Sequence, residues 1–343
     1  FQGSLIDSEY KGISTIEIMN LLAPDVVTIG NHEVDYGLAH LLFLEKCANF
    51  PIINANMYLK SNGRRLFKSH EILHIDGMKV LFIGILTEEV LQKTKLEQLI
   101  GTLVDIEAAA EEVGRICDSY QTEDIDFTVL LTHIGIEADK DLASKLDPRW
   151  GVDLIIGGHS HTLLGKPVEI NGIPIVQAAS GTDQIGRFDI MVDTDLNTID
   201  SYTWQLIPIT PEHCPEDEAL KEVIEKYHAL TESKYNRILT RFPERYTHPG
   251  RHMETPVGKI FADAFKESLG LDIMLEASGS LRGYSIGPIM TLKDMQEMHP
   301  FNEEVYRYKV TGKQFRHMME YMLRDEAFDG VSHTEFYQFS EGM

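Results

Sequence analysis

Short apolar runs rich in β-branched residues alternate with segments of helical periodicity over the first two hundred residues. The runs predict strands at 26–29, 51–53, 80–83, 127–131, 154–156 and 173–176. Because these runs are almost uninterrupted by polar residues, they are typical of strands buried on both faces of a sheet. Helical spacing over 106–120 and 138–146 falls between them. The pattern therefore predicts a layered α/β domain.

The pattern changes after position 207. A proline-rich stretch covers 208–215, and 216–235 has the composition of a long charged helix. Shorter strands and helices follow, including a helix predicted at 258–268 and a Gly/Ser loop near Ser278. We therefore expect three parts: a domain of residues 1–207, a linker of residues 208–237 and a smaller α/β domain of residues 238–343.

Charge and composition narrow the classes of function. The 343 residues include 54 acidic and 31 basic side chains, for a formal net charge of -23, which disfavours an extended nucleic acid as a partner. An acidic protein that handles small phosphate esters would need metal ions and a few well-placed Arg or Lys side chains. The 3 cysteines are odd in number and predict no disulfide framework. The apolar runs are too short to span a membrane, and they leave the localisation and oligomeric state open.

Three predicted strands end in residues that commonly bind metals. Asn31 follows the first strand, His133 follows the fourth, and His159 and His161 follow the fifth. Ligands of open α/β sheets gather outside the carboxyl ends of the strands, so these side chains are expected to converge. One such histidine alone would more often be a solvated loop residue. Imidazole nitrogens with a carboxamide oxygen favour Zn, Mn, Fe or Co over Ca.

The segments 30–37, 131–135 and 157–161 resemble three signature blocks of the calcineurin-like metallophosphoesterases. Tyr36 and Gly37 in the first block, and Thr132 in the second, are similar to the bacterial-type 5′-nucleotidase family. The resemblance continues through the linker and the last hundred residues. It implies a metallophosphoesterase sheet domain followed by a smaller α/β nucleotidase C-terminal domain.

The resemblance also implies two divalent metal ions as cofactors. Asn31, His133 and His159 match ligands of the second ion, and His161 matches a ligand of the first. Two further ligand blocks, Asp-x-His and Gly-Asp, would precede Phe1, and the last residues match the start of a further family strand. We therefore expect the chain to be truncated at both ends, with its first four residues native rather than the remnant of a tag.

Catalytic roles follow from the same resemblance. His32 matches the residue that contacts the phosphate and protonates the leaving oxygen, and Asp35 matches the carboxylate that holds its tautomer. The ions would polarise the phosphoryl group and lower the pKa of a bound water that attacks in line. Without the resemblance, His32 could simply cap a turn.

Substrate contacts are expected in the second domain. Ser278, Gly279 and Arg282 belong to a segment that resembles the family's Gly-rich phosphate-binding loop, although the usual Asn before the glycines is replaced here. Phe301 resembles an aromatic residue that stacks on the nucleobase, whereas on composition alone it would be a core residue. Lys259 would add positive charge nearby.

Three functions remain open. The first is hydrolysis of nucleoside 5′-monophosphates, with nucleotide sugars or 2′,3′-cyclic nucleotides as further small-molecule substrates. The second is a phosphodiesterase or a hydrolase of another phosphate ester, which the altered loop before Arg282 favours. The third is a non-catalytic nucleotide-binding protein, if the gene product itself lacks the upstream ligand blocks.

Overall fold

The computed structural model describes residues 5–87, 100–101, 105–181, 183–301, 303–323 and 336–342. The chain forms two compact units, one of Thr15–Val223 and one of Gln2–Ser14 together with Ile224–Met343. The boundary at 223 falls inside the helix that we assigned to the linker. The predicted boundaries of the domains and the linker stay predictions.

The secondary structure alternates between helices and strands in both units. The helices are α1 (Leu5–Tyr10), α2 (Ile13–Leu22), α3 (Leu38–Cys47), α4 (Ile106–Ser119), α5 (Ile136–Lys145), α6 (Glu218–Tyr235), α7 (Pro256–Leu269), α8 (Leu292–Met298) and α9 (Gly312–Met322). The strands are β1 (Val27–Thr28), β2 (Ile52–Ile53), β3 (Tyr58–Leu59), β4 (His70–Ile75), β5 (Met78–Leu86), β6 (Ile100–Gly101), β7 (Phe127–His133), β8 (Leu154–Ile156), β9 (Val168–Ile170), β10 (Ile173–Val176), β11 (Gln184–Asp193), β12 (Thr198–Pro208), β13 (Ile238–Arg241), β14 (Tyr246–Thr247), β15 (Leu275–Ala277), β16 (Ser285–Ile286), β17 (Ile289–Thr291) and β18 (Tyr337–Phe339).

A six-stranded sheet forms the centre of the first unit. Its strand order is β4-β5-β7-β8-β10-β9, with the four inner strands parallel and both edge strands antiparallel. The inner strands include four of the six predicted apolar runs, and residues such as Ile83, Leu130 and Ile155 are fully buried. The mixed α/β prediction is therefore confirmed, and the parallel strands direct their carboxyl ends to one edge of the sheet.

The two faces of this sheet are covered by different kinds of structure. On one face, α4 and α5 pack Val113 and Leu142 into the main core. On the other face, the long hairpin β11–β12 contributes Phe188 and Trp204 to a second apolar cluster. The sequence analysis did not identify this hairpin, although its alternating exposure is the pattern expected of a strand with one buried face.

The pair β1–β2 lies beside the central sheet and carries the first of the predicted ligand segments. Thr28 Oγ1 donates to the carbonyl of Ile53 at 3.0 Å, and the backbone N–H of Ala55 donates to the carbonyl of Gly84 at 2.7 Å. A Cβ at position 84 would meet the backbone of Ile53, so this close approach requires glycine. The pairing brings the residues after β1 to the carboxyl edge of β7.

The second unit is built from short antiparallel strand pairs and helices. Its pairs are β13–β17, β14–β16 and β15–β18. Val257 and Phe261 on α7 pack with Leu281 in the core of this unit. Helix α1 belongs here as well, because Glu9 pairs with Lys234 on α6 at 2.6 Å. Within the described residues of both units, none of the helices has the length and apolar character needed to cross a bilayer.

Candidate active site

The predicted metal ligands of the first unit converge at the carboxyl edge of its sheet. His133 is the last residue of β7, Asn31 follows β1, and His159 lies in the turn after β8. His133 Nε2 lies 2.9 Å from Asn31 Oδ1, although the two residues are 102 positions apart. The rings of His133 and His159 have their centroids 5.2 Å apart. Three separate segments therefore supply polar side chains to one location.

This arrangement fits a divalent metal ion. Two ligand atoms that each lie about 2.1 Å from one ion are at most about 4 Å apart, and the Asn31 and His133 atoms are within that limit. Burial lowers the pKa of His133 to about 4, and the nearby His159, together with His32 and His161, acts in the same direction. The imidazole of His133 is therefore neutral at physiological pH, as metal coordination requires. The assignment of Asn31, His133, His159 and His161 as ligands stays a prediction.

The turn that carries the two later histidines has a strained backbone. His159 and His161 have φ angles of 75° and 55°, in the left-handed region that residues other than glycine seldom adopt. Each such residue costs on the order of 1–3 kcal/mol and persists only where the surroundings impose it. The backbone N–H of Ser160 donates to the carbonyl of Gly158 at 3.0 Å, which closes the turn. Strain of this kind is common at functional sites.

Gln177, which the sequence analysis missed, bonds to both ends of this turn. Its Nε2 donates to the carbonyl of Gly158 at 2.8 Å, and its Oε1 accepts from the Ser160 hydroxyl at 3.0 Å and from the N–H of Thr162. Ser160 Oγ also accepts from the N–H of Ile136 at the start of α5, at 3.0 Å. The only feature of the sequence that could have pointed to Gln177 is its position as a polar residue directly after the apolar strand β10.

Asp139 on α5 is a second buried polar residue behind this turn. Thr132 Oγ1 donates to Asp139 Oδ1 at 2.6 Å, and burial raises the pKa of Asp139 to about 7. A Cβ at position 157 would collide with the carboxyl group of Asp139, so the close packing of α5 against the turn requires Gly157. The acid therefore lies directly beneath the segment that leads to His159.

His32 and Asp35 form a pair beside the predicted ligands. His32 Nδ1 lies 2.7 Å from Asp35 Oδ2 within one turn, so the carboxylate orients the imidazole through this nitrogen. Next to them, the N–H of Gly30 donates to Glu33 Oε2 at 2.5 Å, and a Cβ on Gly30 would meet the ring of His133. Glu33 was also missed, and its bond to Gly30 helps to fix the turn. The catalytic roles of His32 and Asp35 stay predictions.

In the second unit, the hydroxyls of the Gly/Ser loop bond to the protein itself. Ser278 is fully buried, and its Oγ accepts a hydrogen bond from Gln338 Nε2. Ser280 Oγ donates to Glu303 Oε2 at 2.5 Å. Gly279 lies between them in a single 3-10 turn. The predicted substrate contacts of Ser278 and Gly279 therefore stay predictions, and the Ser278 hydroxyl already has an internal partner.

Arg282 and Phe301 do lie together. The guanidinium carbon of Arg282 is 4.8 Å from the centroid of the Phe301 ring, which is within the range of a cation–π contact. Lys259 lies on α7, where its Nζ is 3.1 Å from Asp263 Oδ2, and it lines a cavity of about 330 Å³ with Thr255. Of the predicted substrate residues, Arg282 and Phe301 are thus in contact, and Lys259 is paired with Asp263.

Comparison with known proteins agrees with this architecture. Residues 5–163 match the calcineurin-like phosphoesterase family, and residues 231–343 match the 5′-nucleotidase C-terminal domain. The chain is 25% identical over 361 residues to Endonuclease YhcR of Bacillus subtilis, covering 96% of this chain and 29% of that protein. It is 27% identical over 354 residues to a 5′-nucleotidase of Vibrio vulnificus, covering 90% of this chain and 62% of that protein.

A solved structure of a related protein has a similar fold. The 5′-nucleotidase precursor from Thermus thermophilus superposes with a TM-score of 0.78 at 25% identity, over 88% of this chain and 63% of that one. The chain spans less than two thirds of the length of each of these relatives. The two family matches follow one another in the order that the sequence predicted. The chain therefore combines a domain of the calcineurin-like phosphoesterase family with a 5′-nucleotidase C-terminal domain, in that order.

Proposed function

We propose that this chain is part of an enzyme that hydrolyses nucleoside 5′-monophosphates with the aid of two divalent metal ions. Asn31, His133 and His159 would hold one ion, and His161 would help to hold the other. The observation that carries the proposal is the 2.9 Å separation of His133 Nε2 and Asn31 Oδ1, in a cluster to which His159 also belongs. Bound ions supply Lewis-acid activation of the phosphoryl group and of the attacking water.

His32 is the proposed general acid. Its Nδ1 is 2.7 Å from Asp35 Oδ2, so Asp35 holds the Nδ1 proton and leaves Nε2 as the nitrogen that delivers a proton to the departing oxygen. The departing group of a nucleotide is an alkoxide, which is a poor leaving group at neutral pH. A correctly placed imidazolium typically contributes roughly 10²–10⁴-fold to such a step.

Nucleotides are the proposed substrates because of the residues near Arg282. A guanidinium over the Phe301 ring offers a planar cation for phosphate or a base edge, next to an aromatic surface. Stacking on a single ring tolerates different bases. The formal net charge of -23 supports small nucleotides rather than a polymer, since the acidic surface repels a long phosphate backbone.

The test uses the full-length gene product with AMP. We expect release of phosphate that stops when the metals are removed with EDTA and returns on addition of Mn²⁺ or Zn²⁺. A full-length protein that binds AMP but releases no phosphate with any of the metals Zn, Mn, Fe or Co would instead support the non-catalytic nucleotide binder.

A phosphodiesterase is the second candidate, because one relative is named an endonuclease and the loop before Arg282 departs from the usual family form. The same full-length protein should be assayed with bis-p-nitrophenyl phosphate and with a single-stranded oligonucleotide. A higher kcat/KM for either diester than for AMP would favour this candidate over the nucleotidase.

A further inference from the structure

Within the described part of the chain, the buried side-chain amide of Gln177 hydrogen-bonds only to the turn that carries His159 and His161. It follows β10 directly and is only 2% exposed. As described above, it donates to the carbonyl before His159 and accepts from the backbone N–H after His161. One side chain therefore bonds to the turn on both sides of the two histidines.

The bonds around Gln177 connect the turn to two other elements. Ser160, which lies between the two histidines, bonds to Gln177 Oε1 at 3.0 Å and to the N–H of Ile136 on α5 at 3.0 Å. The carbonyl of Gly158 accepts from the N–H of Gly135 at 3.1 Å as well as from Gln177. The strand β10 and the start of α5 thus restrain the turn from two sides. These restraints explain how His159 and His161 keep their left-handed backbone conformation.

We propose that Gln177 is a positioning residue that holds the 157–162 turn in the conformation that directs His159 and His161 to metal ions. The inference rests on the proposed function, because it takes both histidines as ligands. An amide suits this role because it donates and accepts at once. A carboxylate could accept from Thr162 and Ser160 but would meet the carbonyl of Gly158 without a proton to donate. A methionine has a similar length and supplies neither bond.

The second unit offers a matched control. Gln338 is fully buried, and like Gln177 it both accepts and donates through one side-chain amide. Its Oε1 accepts from the N–H of Thr255 at 2.8 Å, and its Nε2 donates to the carbonyl of Met253 at 2.8 Å. Gln338→Met removes a buried amide of the same kind from a different unit. It should lower stability without changing any residue of the 157–162 turn.

The experiment measures Mn²⁺ affinity of the metal-free, full-length protein by competition with a fluorescent chelator. We expect Gln177→Met to weaken Mn²⁺ binding by roughly 10- to 100-fold, the usual effect of removing a group that orients metal ligands. Gln338→Met should change it less than about twofold, and His159→Ala sets the effect of losing a ligand outright. Amide hydrogen exchange of peptides spanning 157–164, without metal, should accelerate in Gln177→Met and stay unchanged in Gln338→Met.

The outcomes separate the inference from the proposed function. If His159→Ala loses affinity while Gln177→Met keeps wild-type affinity and exchange, Gln177 does not position the turn. If His159→Ala itself keeps wild-type affinity, the metal assignment fails instead. Should Gln177→Met not fold, Ser160→Ala decides, because it keeps Gln177 and removes the hydroxyl that bonds to Gln177 and to the N–H of Ile136. It is expected to weaken Mn²⁺ binding by roughly three- to tenfold, and wild-type affinity in that variant would overturn the inference.

Discussion

A buried glutamine bonds to one polar turn in each unit, and the two turns differ in which of their groups the glutamine bonds to. In the first unit, Gln177 bonds to the N–H of Thr162 and to the carbonyl of Gly158, which lie on either side of the predicted ligands His159 and His161. In the second unit, Gln338 bonds to the hydroxyl of Ser278 itself. The serine is thereby used for internal structure.

Whether the side chain of a loop can bind a ligand depends on how the backbone around it is hydrogen-bonded. A polar side chain is available to a ligand only when other groups satisfy the backbone around it, because a buried polar atom without a partner is costly. The first turn meets this condition through Gln177 and Ser160. In the Gly/Ser loop of the second unit, the Ser278 and Ser280 hydroxyls bond to Gln338 and Glu303, and Arg282 contacts Phe301.

The first prediction tests whether His133 binds a metal ion, and we expect it to change the activity the most. His133→Ala in the full-length enzyme should empty the second metal position and lower kcat/KM for AMP by on the order of 10³-fold, since a bound ion contributes several kcal/mol. Metal content is measured by mass spectrometry alongside the kinetics. Two ions retained in this variant would contradict the assignment of His133.

The second prediction separates proton transfer from metal binding. His32→Asn should lower kcat for AMP by roughly 10²- to 10⁴-fold, while the metal content stays normal. Asp35→Asn is the companion variant, since it loosens the same imidazole and should give a smaller loss. Loss of metal with an unchanged rate per bound metal would show that His32 is a ligand and that the proton donor lies elsewhere.

The third prediction concerns the acid beneath the first turn. Burial raises the pKa of Asp139 to about 7 from an ordinary value of 3.8. The folded state then holds a proton that the unfolded state has lost, so this group makes the metal-free protein less stable as the pH rises from about 4 to about 7. The full effect is up to about 4 kcal/mol. It is absent at the lower end of this range, where both states are protonated.

Asp139→Asn tests this sign, because it removes the titration and keeps the size of the side chain. Urea unfolding of both metal-free proteins at about pH 4, 5.5 and 7 gives the free energies to compare. The wild type should lose stability relative to the variant as the pH rises. An identical pH dependence in the two proteins would mean that Asp139 is ionised in the fold without penalty.

The fourth prediction concerns the second unit. Phe301→Ala should weaken binding of AMP by about 1–3 kcal/mol, or roughly five- to hundredfold in KM, because the stacking surface is lost. A small substrate such as p-nitrophenyl phosphate, which has no base, should keep its kcat/KM. Circular dichroism controls for folding. Equal losses on both substrates would identify Phe301 as a packing residue.

The smallest expected effect bears directly on the comparison of the two turns. Ser278→Ala removes the hydroxyl that Gln338 donates to, so it should lower the free energy of unfolding by about 1 kcal/mol. The KM for AMP should change little if the hydroxyl is wholly used inside the protein. A tenfold rise in KM without loss of stability would instead support the substrate contact that the sequence predicted.

Local pattern predicted much of the fold. The apolar runs at 80–83 and 127–131 lie within β5 and β7, and the helical spacing at 106–120 corresponds to α4. These elements could be predicted because hydrophobic periodicity depends only on residues that are close together in the sequence. The hairpin β11–β12 was missed, since its alternating pattern is weaker and its buried face is defined by the sheet it covers.

Residue type and position along the chain were enough to predict which side chains follow the strand ends, and hence that Asn31, His133 and His159 would meet. The bonds that hold the turn around His159, and the loop hydroxyls that bond internally, depend instead on contacts between distant segments. Gln177 and Ser160 are 17 positions apart, and Gln338 and Ser278 are 60 apart. The choice of a hydrogen-bond partner depends on burial and on distant chain segments, and neither is encoded in the residues on either side of a turn.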